Sequence, residues 1–381
     1  MKKILKEKKV LITVGVVVVI LLILIFVSKL TGDNKGEGRE GLEDGENYTS
    51  EFSDLSKQEP LNPEEVSPFS GLKCENPDNK DRRAIAVMLA SDPSTRPLSG
   101  VSSADLVIEM PVITSQVTRL MALYVCNSPE EIGSIRSTRH DFLTLAKGMD
   151  AILAHWGGPD FVLNYLKDED PVPNLDALIY EGDKATSPFW RKPEIPKPDN
   201  GFATYDNLLK QAEELGYRTE NYFEGYPHRK ESPKEERGSR GKLTVGFPKA
   251  YKMNVYYVYD PESNSYLRYW AGNMDIDKNT QEQIAPKNVV VVFATSRQIK
   301  GQYNDVDIEG EGEMHAYIEG KEIQGTWVKE KENCVIGDEL VCVSSSKLKF
   351  LNEDGEEITF IPGQVWIEVL EPGQKLEWEP L

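Results

Sequence analysis

Histidine, cysteine and positive charge are all scarce in this sequence of 381 residues. It holds four histidines and four cysteines, and its 44 lysines and arginines are outnumbered by 63 aspartates and glutamates, which gives a formal net charge of −19. A protein that binds nucleic acid must present more bases than acids where the phosphates lie. We therefore expect no nucleic-acid partner.

Catalytic and cofactor-binding motifs are missing as well. The chain has no G-x-S-x-G, no H-E-x-x-H, no G-x-x-x-x-G-K-[ST], and no G-x-G-x-x-G after a predicted strand. Its cysteines lack the C-x-x-C spacing of a metal or redox site. The sequence therefore indicates no standard enzyme class and no cofactor.

The first thirty residues predict a membrane anchor. Residues 10–27 carry no charge, and as a helix they would span about 27 Å, close to the roughly 30 Å hydrocarbon core of a bilayer. Because five lysines precede this run and an acidic stretch follows it, we expect a cytoplasmic tail at 1–9, one transmembrane helix at 10–28 and the bulk of the chain outside the cell. A cleaved signal peptide is the alternative, although no good small-residue cleavage site follows Val27.

The remaining chain divides into a tether and two folded parts. Residues 29–66 are acidic and poor in aliphatic side chains, which predicts a disordered tether. Residues 67–227 alternate short apolar runs with amphipathic ones, which indicates an α/β-type domain. After a charged linker at 228–242, strand-length runs rich in Val, Ile, Tyr and Trp predict a mainly β domain at 243–381. The predicted fold class is thus α+β, after one transmembrane helix.

Individual elements can be placed in the first folded part. We predict strands at 84–90, 105–110, 118–126 and 149–156, and helices at 137–148, 158–168 and 201–217. An even number of cysteines outside the membrane permits two disulfides. Cys334 and Cys342 flank a short turn and are expected to pair, which leaves Cys74 for Cys126; four free thiols are the alternative.

Two arginines stand close together in the stretch GSIRSTRHDF, residues 133–142. If the helix begins near residue 137, Arg136 and Arg139 share a face near its first turn, where the backbone dipole disfavours cations. A bound anion, held by both guanidiniums and by free N–H groups, would account for them. Pairing of each arginine with one of the many carboxylates is the alternative.

A histidine and a glycine pair follow the next predicted strand. Ligands of α/β sheets collect at the carboxyl ends of strands, and a glycine turn lets the backbone approach them. We therefore expect His155, beside Gly157 and Gly158, to be an acid/base or a ligand-contacting group, with a hydrogen-bonded structural histidine as the alternative. Arg191, in a proline-rich loop, is a third candidate cation over the same cleft.

Two further sets of polar residues have simpler interpretations. Asp199 and Asn200 are expected to cap the helix that follows them. Acids at alternate positions of residues 305–313 are predicted to lie along one strand, where they could bind Ca²⁺ or protect a solvated edge. We favour the edge and predict no metal site.

Short motifs of one bacterial family are spread over most of the folded part. They are Arg96-Pro97, Ser99-Gly100, Ala104-Asp105, Thr118-Arg119, Gly133, Arg136-Ser137, Arg139, His155 with Gly157-Gly158, FWR at 189–191, and GFATYDNL at 201–208. With them the chain resembles the YerB family of two-domain envelope proteins, mostly lipoproteins, of unknown function. The resemblance covers roughly residues 82–371. It implies the same architecture and adds weight to the cluster of Arg136, Arg139 and His155.

The chain departs from that family in two places. Family members usually carry a lipid-attachment cysteine where this chain has only an apolar run, which implies a different anchor on the same side of the membrane. Similar proteins tend to have histidine where this chain has Asp199, which argues against a catalytic role for that loop.

These features predict a membrane-anchored, extracytoplasmic protein that binds an anionic ligand of the cell envelope, such as a cell-wall fragment or a phosphorylated precursor. The candidate ligand-binding residues are Arg96, Arg136, Arg139, His155, Gly157, Gly158 and Arg191. One alternative is a hydrolase or transferase acting on a glycan or phosphodiester, with His155 as acid/base and a nucleophile among Ser137, Thr138, Asp141 and Glu109. A further alternative is a scaffold that binds a protein partner through its β half.

Overall fold

The computed structural model describes residues 59–113, 117–169, 172–247, 255–301, 303–332 and 343–381. The predicted cytoplasmic tail, the predicted transmembrane helix at 10–28 and most of the predicted tether lie outside these ranges, as do Cys334 and Cys342. No helix within the described ranges is long and apolar enough to cross a bilayer. The described residues belong to one compact unit.

The described residues form twenty strands and four α-helices. The strands are β1 Ile85–Ala90, β2 Leu106–Pro111, β3 Thr118–Tyr124, β4 Ile132–Gly133, β5 Ile152–His155, β6 Asn174–Asp176, β7 Phe189–Arg191, β8 Gly201–Ala203, β9 Gly241–Gly246, β10 Val255–Asp260, β11 Ser265–Trp270, β12 Asn273–Met274, β13 Asn288–Phe293, β14 Ser296–Gln298, β15 Asn304–Val306, β16 Gly310–Ile318, β17 Lys321–Lys329, β18 Lys349–Asn352, β19 Val365–Leu370 and β20 Lys375–Pro380. The helices are α1 His140–Gly148, α2 Asp160–Glu169, α3 Ala177–Tyr180 and α4 Tyr205–Glu214. The predicted α+β class is confirmed.

A ten-stranded mixed sheet is the centre of the fold, and both parts of the chain contribute to it. Its strand order is β18-β17-β16-β13-β19-β2-β3-β1-β5-β6. The two parts meet where β19 pairs parallel to β2, with Val365 opposite Leu106. The predicted division at residues 228–242 therefore separates two stretches of sequence, while the sheet itself is continuous across them.

The strands at the middle of this sheet are buried on both faces. In β1, the side chains of Ala86 and Met88 pack into one apolar core, and those of Ile85, Val87 and Leu89 pack into another. This arrangement explains why β1 is apolar throughout, because a strand covered on only one face would alternate with polar residues. Helix α1 covers the first of these two cores, and a second sheet, ordered β12-β11-β10-β9-β20, covers the other.

The helices begin later in the chain than predicted. Helix α1 starts at His140 rather than near residue 137, with Arg139 extended at its N-cap. The segment before it pairs with β1 instead, through Ala90 N–H to Ser134 O at 3.0 Å and Arg136 N–H to Met88 O at 2.9 Å. The expectation that both arginines lie in the first helical turn is therefore wrong.

The prediction that Asp199 and Asn200 cap the next helix is also wrong. Strand β8 comes first, and α4 is capped by Thr204, whose Oγ1 accepts the Asn207 N–H at 3.1 Å.

The acids at 305–313 do not share one strand. Asp305 lies in β15 and pairs against β14, whereas Glu311 and Glu313 lie in β16, with a break between the two strands. Because the two strands belong to different sheets, the alternating acids do not line a common face.

The charged linker is attached to the β-rich part through a buried ion pair. The Arg229 guanidinium lies 2.8 Å from Glu319, and the Ser232 N–H donates to the same carboxylate at 2.6 Å. Solvation alone thus does not account for its charges. Cys74 and Cys126 form a disulfide, as predicted.

Candidate functional site

The candidate site is organised by the extended segment between β4 and α1. This segment bonds to β1 on one side and to the end of β5 on the other, where the Trp156 N–H donates to Arg136 O at 3.0 Å and the Thr138 N–H donates to Gly157 O at 3.0 Å. It therefore carries its arginines across the carboxyl ends of two parallel strands, β1 and β5. That edge of the sheet is where the sequence predicted a cleft.

Arg136 is one of three arginines that meet there. Its guanidinium forms an ion pair with Asp199 and lies 4.0 Å from Asp92, the second residue after β1. Asp199 also accepts a hydrogen bond from Ser94 Oγ at 2.6 Å. Asp199 thus pairs with this arginine instead of capping a helix.

Arg139 lies deeper, with 7% of its surface exposed. Its Nη1 donates to Thr138 O at 2.8 Å, and its guanidinium lies 5.1 Å from the centre of the Tyr303 ring. Its Nε is buried without a hydrogen-bond partner, and no ion pair with a carboxylate occurs among the described residues. Burial lowers the pKa of Arg139 and the nearby charge of Arg136 lowers it further, while Tyr303 and the carboxylate of Asp141 oppose this shift.

Arg119, which sequence reasoning left out of the candidate residues, completes the group. It is 5% exposed, at the start of β3, and its Nη1 lies 3.2 Å from Asp92 Oδ2. Burial, together with the charges of Arg136 and Arg139, lowers its pKa to about 10. We call Arg119, Arg136 and Arg139, with Asp92 and Asp199, the arginine cluster.

His155 is fully buried at the end of β5. Its Nδ1 lies 2.9 Å from Gly157 O and its Nε2 lies 3.3 Å from Asn174 Oδ1, so both ring nitrogens have partners inside the protein. Burial lowers its pKa. These contacts fit the alternative of a hydrogen-bonded structural histidine, which holds the turn beside the arginine cluster.

The glycine pair forms that turn. Gly157 has a φ of +68°, which glycine adopts without strain, and its N–H donates to Asp176 Oδ1 at 2.9 Å. A Cβ on Gly158 would lie 3.3 Å from the Thr138 side chain. Both glycines therefore allow this turn to lie close to the segment that carries Arg136 and Arg139.

Arg191 and Arg96 are held elsewhere. Arg191 stacks over Trp156 at 4.0 Å and bonds to Glu181 and Asn200, and among the described residues it forms no ion pair with Asp92 or Asp199. Arg96 pairs with Asp275 at 2.8 Å. The structure thus brings two of the four predicted arginines together and adds one that was not predicted.

Arg96 belongs to a second group of buried charges. Arg268, fully buried, forms ion pairs with Glu109 and Asp275, and it lies 3.9 Å from Glu368. Burial and the charge of Glu109 raise the pKa of Glu368 to about 8. We call this group the Arg268 network. Glu109, which the sequence offered as a candidate nucleophile, is thus engaged in an ion pair with Arg268.

A third group could hold a metal ion. His140, Asp141 and Asp305 each offer one ligand atom, and these atoms lie within 4.8 Å of one another. Burial opposes a charge on His140, but the carboxylates of Asp141 and Asp305 raise its pKa to about 10.

Two family models match this chain. They are described as the N-terminal and C-terminal domains of a protein of unknown function, DUF3048, and they cover residues 69–218 and 243–367. The chain belongs to the DUF3048 family.

Two comparisons with individual proteins confirm the predicted resemblance to the YerB family. The chain is 28% identical over 306 residues to a Bacillus subtilis protein named "Putative lipoprotein YerB", a match that covers 80% of this chain and 86% of that protein. It also superimposes on the crystal structure of YerB from Bacillus subtilis with a TM-score of 0.68 at 27% identity, over 80% of this chain and 96% of the other. The shared fold thus spans nearly all of the solved relative.

Proposed function

We propose that the protein is an extracytoplasmic, membrane-associated binding protein whose arginine cluster holds a phosphate-bearing ligand of the cell envelope. The location is supported by the apolar run at 10–27 with lysines before it, and by the lipoprotein name of the Bacillus subtilis relative.

The observation that carries the proposal is the surplus charge of Arg139. Arg119 has Asp92 and Arg136 has Asp199, so two carboxylates serve three guanidiniums. Among the described residues, the direct contacts of the Arg139 guanidinium are a carbonyl oxygen and an aromatic ring, and the nearby Asp141 carboxylate is paired with His140. Burial of a charge is costly unless an opposite charge compensates it, so a bound anion would stabilise this arrangement.

Unused hydrogen-bond donors support the same conclusion. The Nε groups of Arg119 and Arg139 are buried, and neither has an acceptor among the described residues. A buried donor without a partner costs roughly 1–3 kcal/mol. An anion with several oxygens could accept from both arginines at once.

A phosphoryl group fits these donors better than a single carboxylate. Guanidiniums bind phosphate oxygens in paired, charge-assisted hydrogen bonds, and a phosphoryl group offers oxygens in several directions to converging arginines. The ligand class is therefore a phosphomonoester or phosphodiester of the envelope. Carboxylated wall fragments are the comparison compounds for the test.

The test uses the full-length protein, purified in detergent. Titration calorimetry and thermal unfolding would be measured with inorganic phosphate, glycerol phosphate, pyrophosphate and a muropeptide. We expect a phosphorylated compound to bind and to raise the unfolding temperature. Arg139→Gln should weaken this binding at least tenfold, because it removes the surplus charge and leaves both ion pairs in place.

Arg191→Gln is the matched control, since it removes an arginine that stacks on an aromatic ring and lies outside the cluster. It should bind like the wild type. Wild-type affinity in Arg139→Gln, or equal losses in both variants, would overturn the proposal. So would a wild-type protein that binds none of the phosphorylated compounds. Recovery of the ligand after incubation separates binding from turnover, because a cleaved ligand would favour the hydrolase or transferase alternative.

A further inference from the structure

His140 stands between two carboxylates that converge on the same ring nitrogen. Its Nε2 lies 3.0 Å from Asp141 Oδ1 and 2.9 Å from Asp305 Oδ1. A ring nitrogen carries one hydrogen at most, so it cannot give each carboxylate a well-directed hydrogen bond. Three candidate ligand atoms that lie within 4.8 Å of one another are instead an arrangement in which all three can share one metal ion.

Another histidine of the same chain also contacts two carboxylates, but in a different geometry. His315 Nδ1 lies 2.8 Å from Glu322 and its Nε2 lies 2.8 Å from Glu313, so each ring nitrogen serves one carboxylate on opposite sides of the ring. No single ion could contact all three of these groups. The contrast shows that convergence on one nitrogen is particular to His140.

Asp141 provides a second, independent observation. It is 4% exposed, its Oδ1 accepts the Val306 N–H at 3.1 Å, and its Oδ2 is buried without a partner among the described residues. A buried carboxylate oxygen normally has at least one hydrogen-bond partner. A metal ion bound through both oxygens of this carboxylate would give Oδ2 the partner that it lacks.

Asp305 is held in the orientation that the site requires. Arg297 Nε and Nη2 both contact its Oδ2, at 2.8 and 2.7 Å, which leaves Oδ1 facing His140. Groups that orient a metal ligand in this way are a regular part of metal sites. The Asp305 side chain is 25% exposed, so the site is open to solvent on this side.

We propose that His140, Asp141 and Asp305 bind a divalent first-row transition metal ion, Zn²⁺ or Mn²⁺. One imidazole and two carboxylates suit these ions, whereas Ca²⁺ and Mg²⁺ prefer oxygen ligands alone. In a tetrahedral zinc site with bonds near 2.0–2.1 Å, ligand atoms lie about 3.3 Å apart. The present spacings of 2.9 and 3.0 Å would open by a few tenths of an ångström. Three protein ligands leave a coordination position free on the exposed side.

The test uses the full-length protein without a histidine tag, treated with EDTA and freed of phosphate. We expect calorimetry to show one site for Zn²⁺ or Mn²⁺, with Ca²⁺ and Mg²⁺ binding at least tenfold more weakly. Asp305→Asn, which keeps the shape of a partly exposed side chain, should weaken binding at least tenfold. Co²⁺ should give a visible absorption spectrum in the wild type that this variant loses.

Glu313→Gln is the matched control, because it removes a carboxylate that contacts a histidine without convergence. It should bind the metal like the wild type. His140→Gln is a second ligand variant, and the thermal unfolding of each variant reports whether it is folded. The absence of one-site binding in the wild type, unchanged binding in Asp305→Asn, or equal losses in Glu313→Gln would overturn the proposal. Because no phosphate is present, failure here leaves the test of the arginine cluster intact.

Discussion

The arginine cluster and the Arg268 network are two groups of buried charges associated with opposite faces of the same sheet. Two consecutive residues of β3 contact different groups. The Thr118 hydroxyl donates to Glu109 of the Arg268 network, while Arg119 belongs to the arginine cluster. Side chains alternate between the two faces of a strand, so consecutive positions supply different groups. In the network, Arg96 and Arg268 face Glu109 and Asp275, and Glu368 with its pKa of about 8 stays protonated at neutral pH.

The difference is one of charge balance. The Arg268 network pairs two cations with two carboxylates inside the protein, whereas the arginine cluster has three cations and two carboxylates. Buried charges that are paired inside the protein need no further partner, whereas a bound anion would stabilise a buried cation that lacks its own carboxylate. We therefore propose a structural role for the first group and ligand binding for the second.

Breaking the balanced group should have the largest effect. Arg268→Met leaves Glu109 and Asp275 buried without their main partner, and removal of one partner from a buried ion pair costs about 3–5 kcal/mol. We expect a loss of that size in the free energy of unfolding, measured by urea denaturation. A loss below about 1 kcal/mol would show that the network is not balanced in the way described.

The pH dependence of stability should sharpen the comparison. The pKa of Glu368 is raised to about 8 in the folded protein, while in the unfolded chain it returns to about 4.5. Between these values the folded state holds a proton that the unfolded state has lost, so this residue makes stability fall as pH rises from 4.5 to 8. Glu368→Gln should remove a slope approaching ~1.4 kcal/mol per pH unit near the middle of this window. Parallel stability curves for the variant and the wild type would contradict this expectation.

The smallest effect is expected from the unbalanced group. In the absence of ligand, Arg139→Gln removes a buried cation that has no carboxylate partner and leaves both ion pairs intact, so the free energy of unfolding should not fall. Phosphate should stabilise the wild type and not this variant, as judged by thermal unfolding with and without it. A loss comparable to that of Arg268→Met would place Arg139 among the structural charges.

Local features of this fold could be predicted from the sequence, and distant pairings could not. The apolar run of β1 and the Cys74–Cys126 disulfide were both predicted, because composition and residue parity constrain them. The pairing of β19 with β2 was not predicted, since a strand pattern carries no information on which distant strand will be its neighbour.

The candidate site shows the same limit. Arg136 and Arg139 were predicted together because they are close in sequence, although the local structure that holds them is extended rather than helical. Arg119 was missed because an arginine at the start of an apolar strand resembles an ordinary strand end. Asp305 lies 165 residues from its partner His140, so only the folded chain shows that they meet.

Because β2 pairs with β19, the central sheet can be completed only after the end of the chain has been synthesised. Strand β2 leaves the ribosome early, yet its neighbour spans residues 365–370, near the end of the chain. Until those residues are made, one edge of β2 lacks its backbone partners, and exposed strand edges are where chains associate wrongly. A protein shortened before residue 365 would keep that edge open permanently, so the last strands protect the first ones from aggregation.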